Sequence, residues 1–180
     1  MNNIKYFILC LSSLVVYSCT QNIEKDHDSS LYSVTVGSSL QLNQPVIIQA
    51  GLARTFFQNG QITKKKDIDI YKPHCSITVN DITLSQQTIH PTTFLIYKIT
   101  DDEEYATRKI LYASINIGAI SDGPTIMANS TYYYLQSTDA PHVRTLECLQ
   151  WNDPYNVEYL SINEIKRSLG GIFTLVLKKE

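Results

Sequence analysis

Short runs in which apolar and polar residues alternate restrict the fold of this chain more than any other feature. The run from His74 to Asn80 reads H-C-S-I-T-V-N, so that every second residue is apolar. Successive side chains of a β-strand point to opposite faces, and this period is therefore typical of a half-buried strand. The same reasoning predicts strands at 32–36, 52–58, 61–63, 93–99, 109–117, 131–137, 143–151 and 172–177. The last run is apolar on both faces, which predicts a central position in the sheet.

Short motifs predict the turns that connect these strands and the helix that covers them. Asn59-Gly60 separates two of the runs and is a strong signal for a tight β-hairpin. Ser161 and Glu164 form the pattern of a capping box at the start of a helix. Apolar residues then recur at helical spacing, and Gly170-Gly171 can end the helix. The expected fold is mainly β: an antiparallel β-sandwich or small barrel with one C-terminal covering helix.

The first 18 residues have the features of a secretory signal peptide. Lys5 precedes an apolar stretch at 7–16, and Ser18 stands just before Cys19. The stretch is shorter than the ~20 apolar residues of a membrane-spanning helix. The alternative is a buried N-terminal element of the domain, which the polar run after Cys19 disfavours. Residues 19–30 are predicted to be a flexible tether and residues 31–180 a single β-rich domain.

The segment Val16-Tyr17-Ser18-Cys19 resembles the lipobox of bacterial lipoproteins. This resemblance implies that Cys19 becomes the first residue after cleavage and carries the fatty-acid anchor. Thr20 takes the place at which aspartate would retain a lipoprotein in the inner membrane. The resemblance therefore implies a protein held by lipid in the outer membrane and facing the periplasm. Several acyl chains give durable attachment, because each buried methylene contributes ~0.8 kcal/mol.

The charge balance argues against nucleic acid as a partner. The chain has 15 lysine and arginine residues against 17 aspartate and glutamate residues, a net charge of −2. Binding to a phosphate backbone relies on an excess of positive charge, which is absent here. We expect no nucleic-acid binding.

Two of the four cysteines are expected to form a disulfide bond. Cys10 lies within the signal peptide and Cys19 is assigned to the lipid, which leaves Cys75 and Cys148. Cysteines pair by default in an oxidising periplasm. The alternative is a reactive Cys75 thiol activated by the neighbouring histidine. Adjacent residues of a strand point to opposite faces, however, and we therefore favour the disulfide.

The sequence contains no standard catalytic or phosphate-binding signature, and we predict neither a cofactor nor a metal. The histidines after the tether are scattered and lack the paired spacing of zinc ligands. An enzymatic alternative remains: a periplasmic hydrolase with dispersed acid and base groups, drawn from His74, Asp139 and His142. Two of these groups in one pocket would favour that alternative.

Two short charged runs are candidates for binding sites. Residues 101–104 are four consecutive carboxylates, which could bind calcium or a cationic partner. They lack the ligand spacing of a calcium loop, and we favour a solvated hairpin tip. The three lysines at 64–66 are likewise interpreted as a solvated turn.

Three aromatic residues are the strongest candidates for a binding surface. In a strand, Tyr132 and Tyr134 share one face while Tyr133 takes the other. Together with Trp151, exposed tyrosines would offer rings on which a sugar or a partner protein could stack. We favour the alternative, that these rings pack in and around the core.

The body of the chain resembles a family of uncharacterised proteobacterial lipoproteins. The residues that carry this resemblance include the segments at 35–43, 53–60, 71–75 and 146–151. The family implies lipid anchoring, a β-rich domain and the cysteine pair, but no activity. The leading hypothesis is therefore a non-enzymatic envelope protein that binds another envelope protein or a cell-wall glycan.

Overall fold

The computed structural model describes residues 26–31, 33–109 and 122–178. Within the described ranges the fold is mostly β and consists of a curled antiparallel sheet in the shape of a half-barrel with one short C-terminal helix. This confirms the predicted fold class. None of the helices in the described ranges has the length and apolar character needed to cross a membrane.

The strands of the described ranges are β1 Ser39–Leu42, β2 Val46–Ile48, β3 Arg54–Gln58, β4 Gln61–Thr63, β5 His74–Val79, β6 Gln87–Ile89, β7 Thr93–Lys109, β8 Asp122–Gln136, β9 Val143–Leu149, β10 Trp151–Asn152 and β11 Phe173–Val176. The main sheet follows the order β11-β1-β7-β8-β9-β5-β3-β4, and β10 pairs separately with β8. A second, two-stranded sheet is formed by β2 and β6.

The sheet curls until its two ends meet across the core. Phe57 lies on β3 and Phe173 on β11, at nearly opposite ends of the strand order, yet their ring centroids are 5.3 Å apart. Both rings belong to one buried core. Every described strand contributes apolar residues to this core except the short β4 and β10. Burial of apolar surface contributes ~25 cal/mol per Å² to the free energy of folding. Because the sheet is curled, its concave face can enclose this core.

The helix α1, Ile162–Leu169, closes the gap between the ends of the sheet. Its capping box is formed as the sequence predicts: the Ser161 side chain accepts a hydrogen bond from the Glu164 backbone, and the Glu164 side chain accepts one from the Ser161 backbone. The buried stripe of Ile162, Ile165 and Leu169 packs on the core, where the helix contacts β3, β5 and β11.

The disulfide bond between Cys75 and Cys148 is present. The two residues are directly opposite each other on β5 and β9, with their Cα atoms 4.1 Å apart, and both are buried. The reactive-thiol alternative for Cys75 is therefore wrong.

Other sequence-based expectations need correction. The carboxylate run at 101–104 is not a hairpin tip but lies within β7, where each residue pairs with β8. The predicted strand at 172–177 is β11, which lies at one end of the sheet and not at its centre. Its apolar residues are buried by α1 and Phe57 instead of by two flanking strands. In the predicted strand 32–36 the described residues 33–36 are not in a strand, and residues 110–117 of the run at 109–117 lie outside the described ranges.

The predicted tether is bound at its described end. The Asn163 backbone donates a hydrogen bond to the His27 carbonyl at 3.0 Å. The Asn163 side chain donates another to the Asp28 carboxylate at 2.9 Å. His27 and Asp28, near the end of the predicted tether, therefore contact the start of α1.

Candidate functional site

The tyrosines of β8 divide between the two faces of the sheet as predicted. Tyr133 is buried in the core, whereas Tyr132 and Tyr134 are half-buried on the opposite face. Trp151 of β10 pairs with Ala128, which alternates onto the same face of β8 as Tyr132. We call the surface carrying Tyr132, Tyr134 and Trp151 the tyrosine face.

The three aromatic residues do not form one continuous platform. Trp151 lies opposite Ala128, four residues along β8 from Tyr132. At ~3.3 Å per residue, this register separates Trp151 from Tyr132 by roughly 13 Å. The tyrosine face therefore has two regions, one around Tyr134 and one around Tyr132, with Trp151 at its far end.

Around Tyr134 the surface is aromatic and open. The Tyr97 ring stands edge-on to the Tyr134 ring, with centroids 6.2 Å apart, and the Lys98 ammonium lies 4.6 Å from the centre of the Tyr134 ring. Tyr97 is 49% exposed and borders a cleft of about 390 Å³ that Gln136 and Pro141 also line. An exposed ring beside a cleft is able to stack on a ligand.

A β-bulge brings Tyr97 to this position. The register of β7 against β8 shifts between Ile96 and Lys98, so that Tyr97 is the extra residue. Bulges turn a side chain away from the regular alternation. Sequence reasoning missed Tyr97 and Lys98 because strict alternation groups Tyr97 with Leu95 and Ile99, and no residue type in this run signals the bulge.

Around Tyr132 the surface is polar and closed. The Tyr132 hydroxyl lies 2.8 Å from Oε1 of Glu147 and 3.3 Å from Oε1 of Glu104. A hydroxyl has one proton to donate, and the shorter distance assigns it to Glu147. Glu104 accepts a hydrogen bond from the Ser130 hydroxyl at 3.1 Å. Desolvation, followed by the contact with Glu147, raises the pKa of Tyr132 well above its ordinary value.

Glu147 is the centre of this polar region. Its residue surface is 6% exposed, and its carboxylate accepts hydrogen bonds from the Ser76 hydroxyl and the Arg54 guanidinium, both at 3.1 Å, in addition to Tyr132. A buried carboxylate is tolerated when it is paired and fully hydrogen-bonded, as Glu147 is. Sequence reasoning did not single out Glu147, although a glutamate between Leu146 and Cys148 in a strand run was the available signal.

His74 adjoins the polar region but is separated from the other proposed acid and base groups. Burial lowers the pKa of His74. The Lys72 carbonyl, 2.9 Å from Nδ1, and the charges of Glu147 and Asp69 act in the opposite direction and reduce this shift. His74 pairs with Leu149 at one end of β9, whereas Asp139 and His142 precede its other end. Seven residues of strand separate the two ends by roughly 20 Å. The structure therefore does not bring His74 together with Asp139 or His142.

Asp139 lies in hydroxyl-rich surroundings. Its carboxylate accepts hydrogen bonds from Thr92 at 3.2 Å and Thr138 at 3.5 Å. It lines an open cleft of about 710 Å³ whose wall contains no histidine. In the described ranges, no group of three or more histidine, cysteine, aspartate or glutamate residues is arranged to hold a metal ion.

The fold and this face together define a class: a disulfide-bonded, half-barrel β domain with a partly exposed tyrosine face. Comparison with known protein families, with curated proteins and with solved structures finds no match for this chain. The residues of the predicted signal peptide and Cys19 lie outside the described ranges, and lipidation of Cys19 therefore stays a prediction.

Proposed function

We propose that this protein is a lipid-anchored, non-enzymatic component of the bacterial cell envelope that binds cell-wall glycan through the Tyr134 end of its tyrosine face. The lipid on Cys19 holds it to the outer membrane, and the β domain faces the periplasm. The lipobox-like segment before Cys19 supports the anchor. The disulfide supports the compartment, because such bonds persist where the surroundings are oxidising.

The observation that carries the binding proposal is the group formed by Tyr97, Tyr134 and Lys98. The Tyr97 ring lines a cleft and stands edge-on to the Tyr134 ring, and the Lys98 ammonium lies over the Tyr134 ring. Aromatic rings offer apolar faces to sugar rings, and their hydroxyls remain free to bond in water. The Lys98 charge suits a glycan that carries carboxylates, for which a cation is an attractive contact.

Removal of these rings should weaken glycan binding. Each well-packed ring contributes ~0.5–1.5 kcal/mol, and the Tyr97→Ala, Tyr134→Ala double variant should therefore bind isolated cell-wall sacculi roughly 5- to 150-fold more weakly. Binding is measured by co-sedimentation of the detergent-solubilised full chain. The matched control is Tyr155→Ala, which removes a 96% exposed tyrosine from a turn after β10 and should bind as the original protein does. Equal binding by the double variant would reject the tyrosine face as the site.

Loss of the anchoring sulfur should release the protein from membranes. We expect Cys19→Ser to move the protein from the membrane pellet to the soluble fraction without changing its melting temperature. The oxygen of serine does not carry the thioether-linked lipid, whereas the β domain begins after this position. Fractionation followed by immunoblotting measures the change. If the Cys19→Ser protein stays in the membrane pellet, the lipid anchor at Cys19 is contradicted, regardless of how the protein binds sacculi.

The two alternatives receive less support. A hydrolase built on His74, Asp139 and His142 needs two of these groups in one pocket. His74 lies roughly 20 Å from the other two, and no histidine lines the cleft that Asp139 borders. A protein partner would need a larger apolar patch than two rings and a cleft. Failure of sacculus binding, with the anchor intact, would favour the protein partner.

A further inference from the structure

The cleft beside Tyr97 adjoins a second, larger cleft. Gln136 and Ser137 line both the cleft at Tyr97 and the open cleft of about 710 Å³ at Asp139. Gln136 lies two residues after Tyr134 on β8, so that the two side chains are on the same face of the strand. The two clefts together form a groove that begins at the tyrosine rings and ends at Asp139. We call it the long groove.

The Asp139 end of the long groove is lined mainly by hydroxyl groups. The described residues that line it are Ser39, Thr92, Thr93, Leu95, Gln136, Ser137, Thr138 and Asp139. Five of these eight residues carry a hydroxyl, and Asp139 is the one charged residue among them. Leu95 is 46% exposed and supplies an apolar contact. This lining differs from the aromatic end of the groove, where Lys98 is the charged group.

A chain of hydrogen bonds orients these hydroxyls. The Thr92 hydroxyl donates a hydrogen bond to Oδ2 of Asp139 at 3.2 Å. A hydroxyl has one proton, and the 3.1 Å contact between the Thr92 and Ser137 hydroxyls therefore has Ser137 as its donor. Both lone pairs of Ser137 then remain to accept hydrogen bonds from a ligand.

Asp139 also keeps acceptor capacity. A carboxylate has about four acceptor positions. Asp139 uses one for Thr92, and Thr138 donates a second, longer hydrogen bond at 3.5 Å. The residue is exposed, so that a ligand can reach the remaining positions. Asp139 and Ser137 together therefore favour a ligand that donates several hydrogen bonds.

A neutral sugar suits this end of the groove best. Its adjacent hydroxyls donate to the carboxylate in charge-assisted hydrogen bonds and accept from the hydroxyls of the lining. An anionic group would be repelled by Asp139, whereas one exposed carboxylate attracts an ammonium group only weakly.

We propose that the long groove binds an oligosaccharide several units long, with one sugar stacked on Tyr97 and a neutral sugar bonded to Ser137 and Asp139. The proposal rests on the proposed function and adds the direction of the glycan. Its carboxylate-bearing unit lies toward Lys98 and its neutral unit toward Asp139.

The first test measures how affinity depends on glycan length. The full chain in detergent is titrated by calorimetry with the disaccharide and the hexasaccharide of β-1,4-linked N-acetylglucosamine, both neutral. We expect the hexasaccharide to bind about tenfold or more tightly, because it spans both ends of the groove. Equal affinities for the two sugars would overturn the proposal.

The second test removes the charge of the groove. Asp139→Asn should weaken hexasaccharide binding about tenfold, because a hydrogen bond to a charged acceptor is replaced by a weaker one. Asp67→Asn, the same change at an exposed position in the turn after β4, should leave the affinity within about twofold. Both variants should melt with the original protein, since both residues are exposed. Unchanged hexasaccharide binding by Asp139→Asn rejects the extended site.

Sacculus binding distinguishes this proposal from the proposed function. If the Tyr97→Ala, Tyr134→Ala variant loses sacculus binding while Asp139→Asn keeps its affinity for the hexasaccharide, the tyrosine face is the site and its extension to Asp139 is wrong. If the original protein binds neither sacculi nor the hexasaccharide, both proposals are wrong.

Discussion

Replacing Cys75 and Cys148 together by alanine should lower the melting temperature by roughly 10–15 °C. The disulfide closes a loop over a sequence separation of 73 residues. By the loop-entropy estimate, such a bridge contributes about 4 kcal/mol to the free energy of unfolding. Each kcal/mol corresponds to ~2–4 °C for a domain of this size. Thermal unfolding followed by circular dichroism measures the shift.

Two controls distinguish the bridge from the loss of buried sulfur. Reduction of the original protein should produce most of the same shift, whereas Cys10→Ser, within the predicted signal peptide, should not change the melting temperature of the domain. A double-alanine variant that melts with the original protein would show that the bridge adds nothing to stability.

Substitution of Gly170 should be nearly as damaging, for a steric reason. Gly170 follows α1 with φ +55°, and a Cβ atom at this position would overlap the Cα atom of Gly60. Gly60 belongs to the β3–β4 hairpin turn, and its backbone donates a hydrogen bond to the Ser168 carbonyl at 3.0 Å. Gly170→Ala combines an unfavourable backbone conformation with overpacking, and we expect it to cost about 3 kcal/mol.

The neighbouring glycine supplies the control for this prediction. A Cβ atom at Gly171 would meet nothing within 4 Å. Gly171→Ala should therefore change the free energy of unfolding by less than about 0.5 kcal/mol. Denaturant unfolding of the two variants tests the difference, and equal stabilities would disprove the close approach of the helix end to the hairpin.

Elements that depend on a few adjacent residues were predicted well. The hairpin at Asn59-Gly60 forms with φ angles of 51° and 74°, which two-residue turns of this kind need. The capping box at Ser161 is likewise present. Both rest on contacts within a few residues, so that the sequence at those positions is sufficient to specify them.

Elements that depend on distant partners were predicted less well. The carboxylates at 101–104 look like a turn when taken alone, yet β8 pairs with them along the whole run. Strand 172–177 looks central because it is apolar, but it buries those residues against α1 and Phe57 from the end of the sheet. The β8 partners of the carboxylates are 24 or more residues away along the chain, and Phe57 is 116 residues from Phe173, beyond the reach of local patterns.

The candidate site shows the same division. Alternation was enough to place Tyr132 and Tyr134 on one face and Tyr133 on the other. The bulge that contains Tyr97 arises in the pairing of β7 with β8. Glu147 can be buried because Arg54 and Ser76, from two other strands, donate hydrogen bonds to its carboxylate. Side-chain period and residue type therefore determined the β class, the covering helix and the cysteine pair. Only the order and register of the strands decided which polar and aromatic groups meet, because they place side by side strands that are distant in the chain.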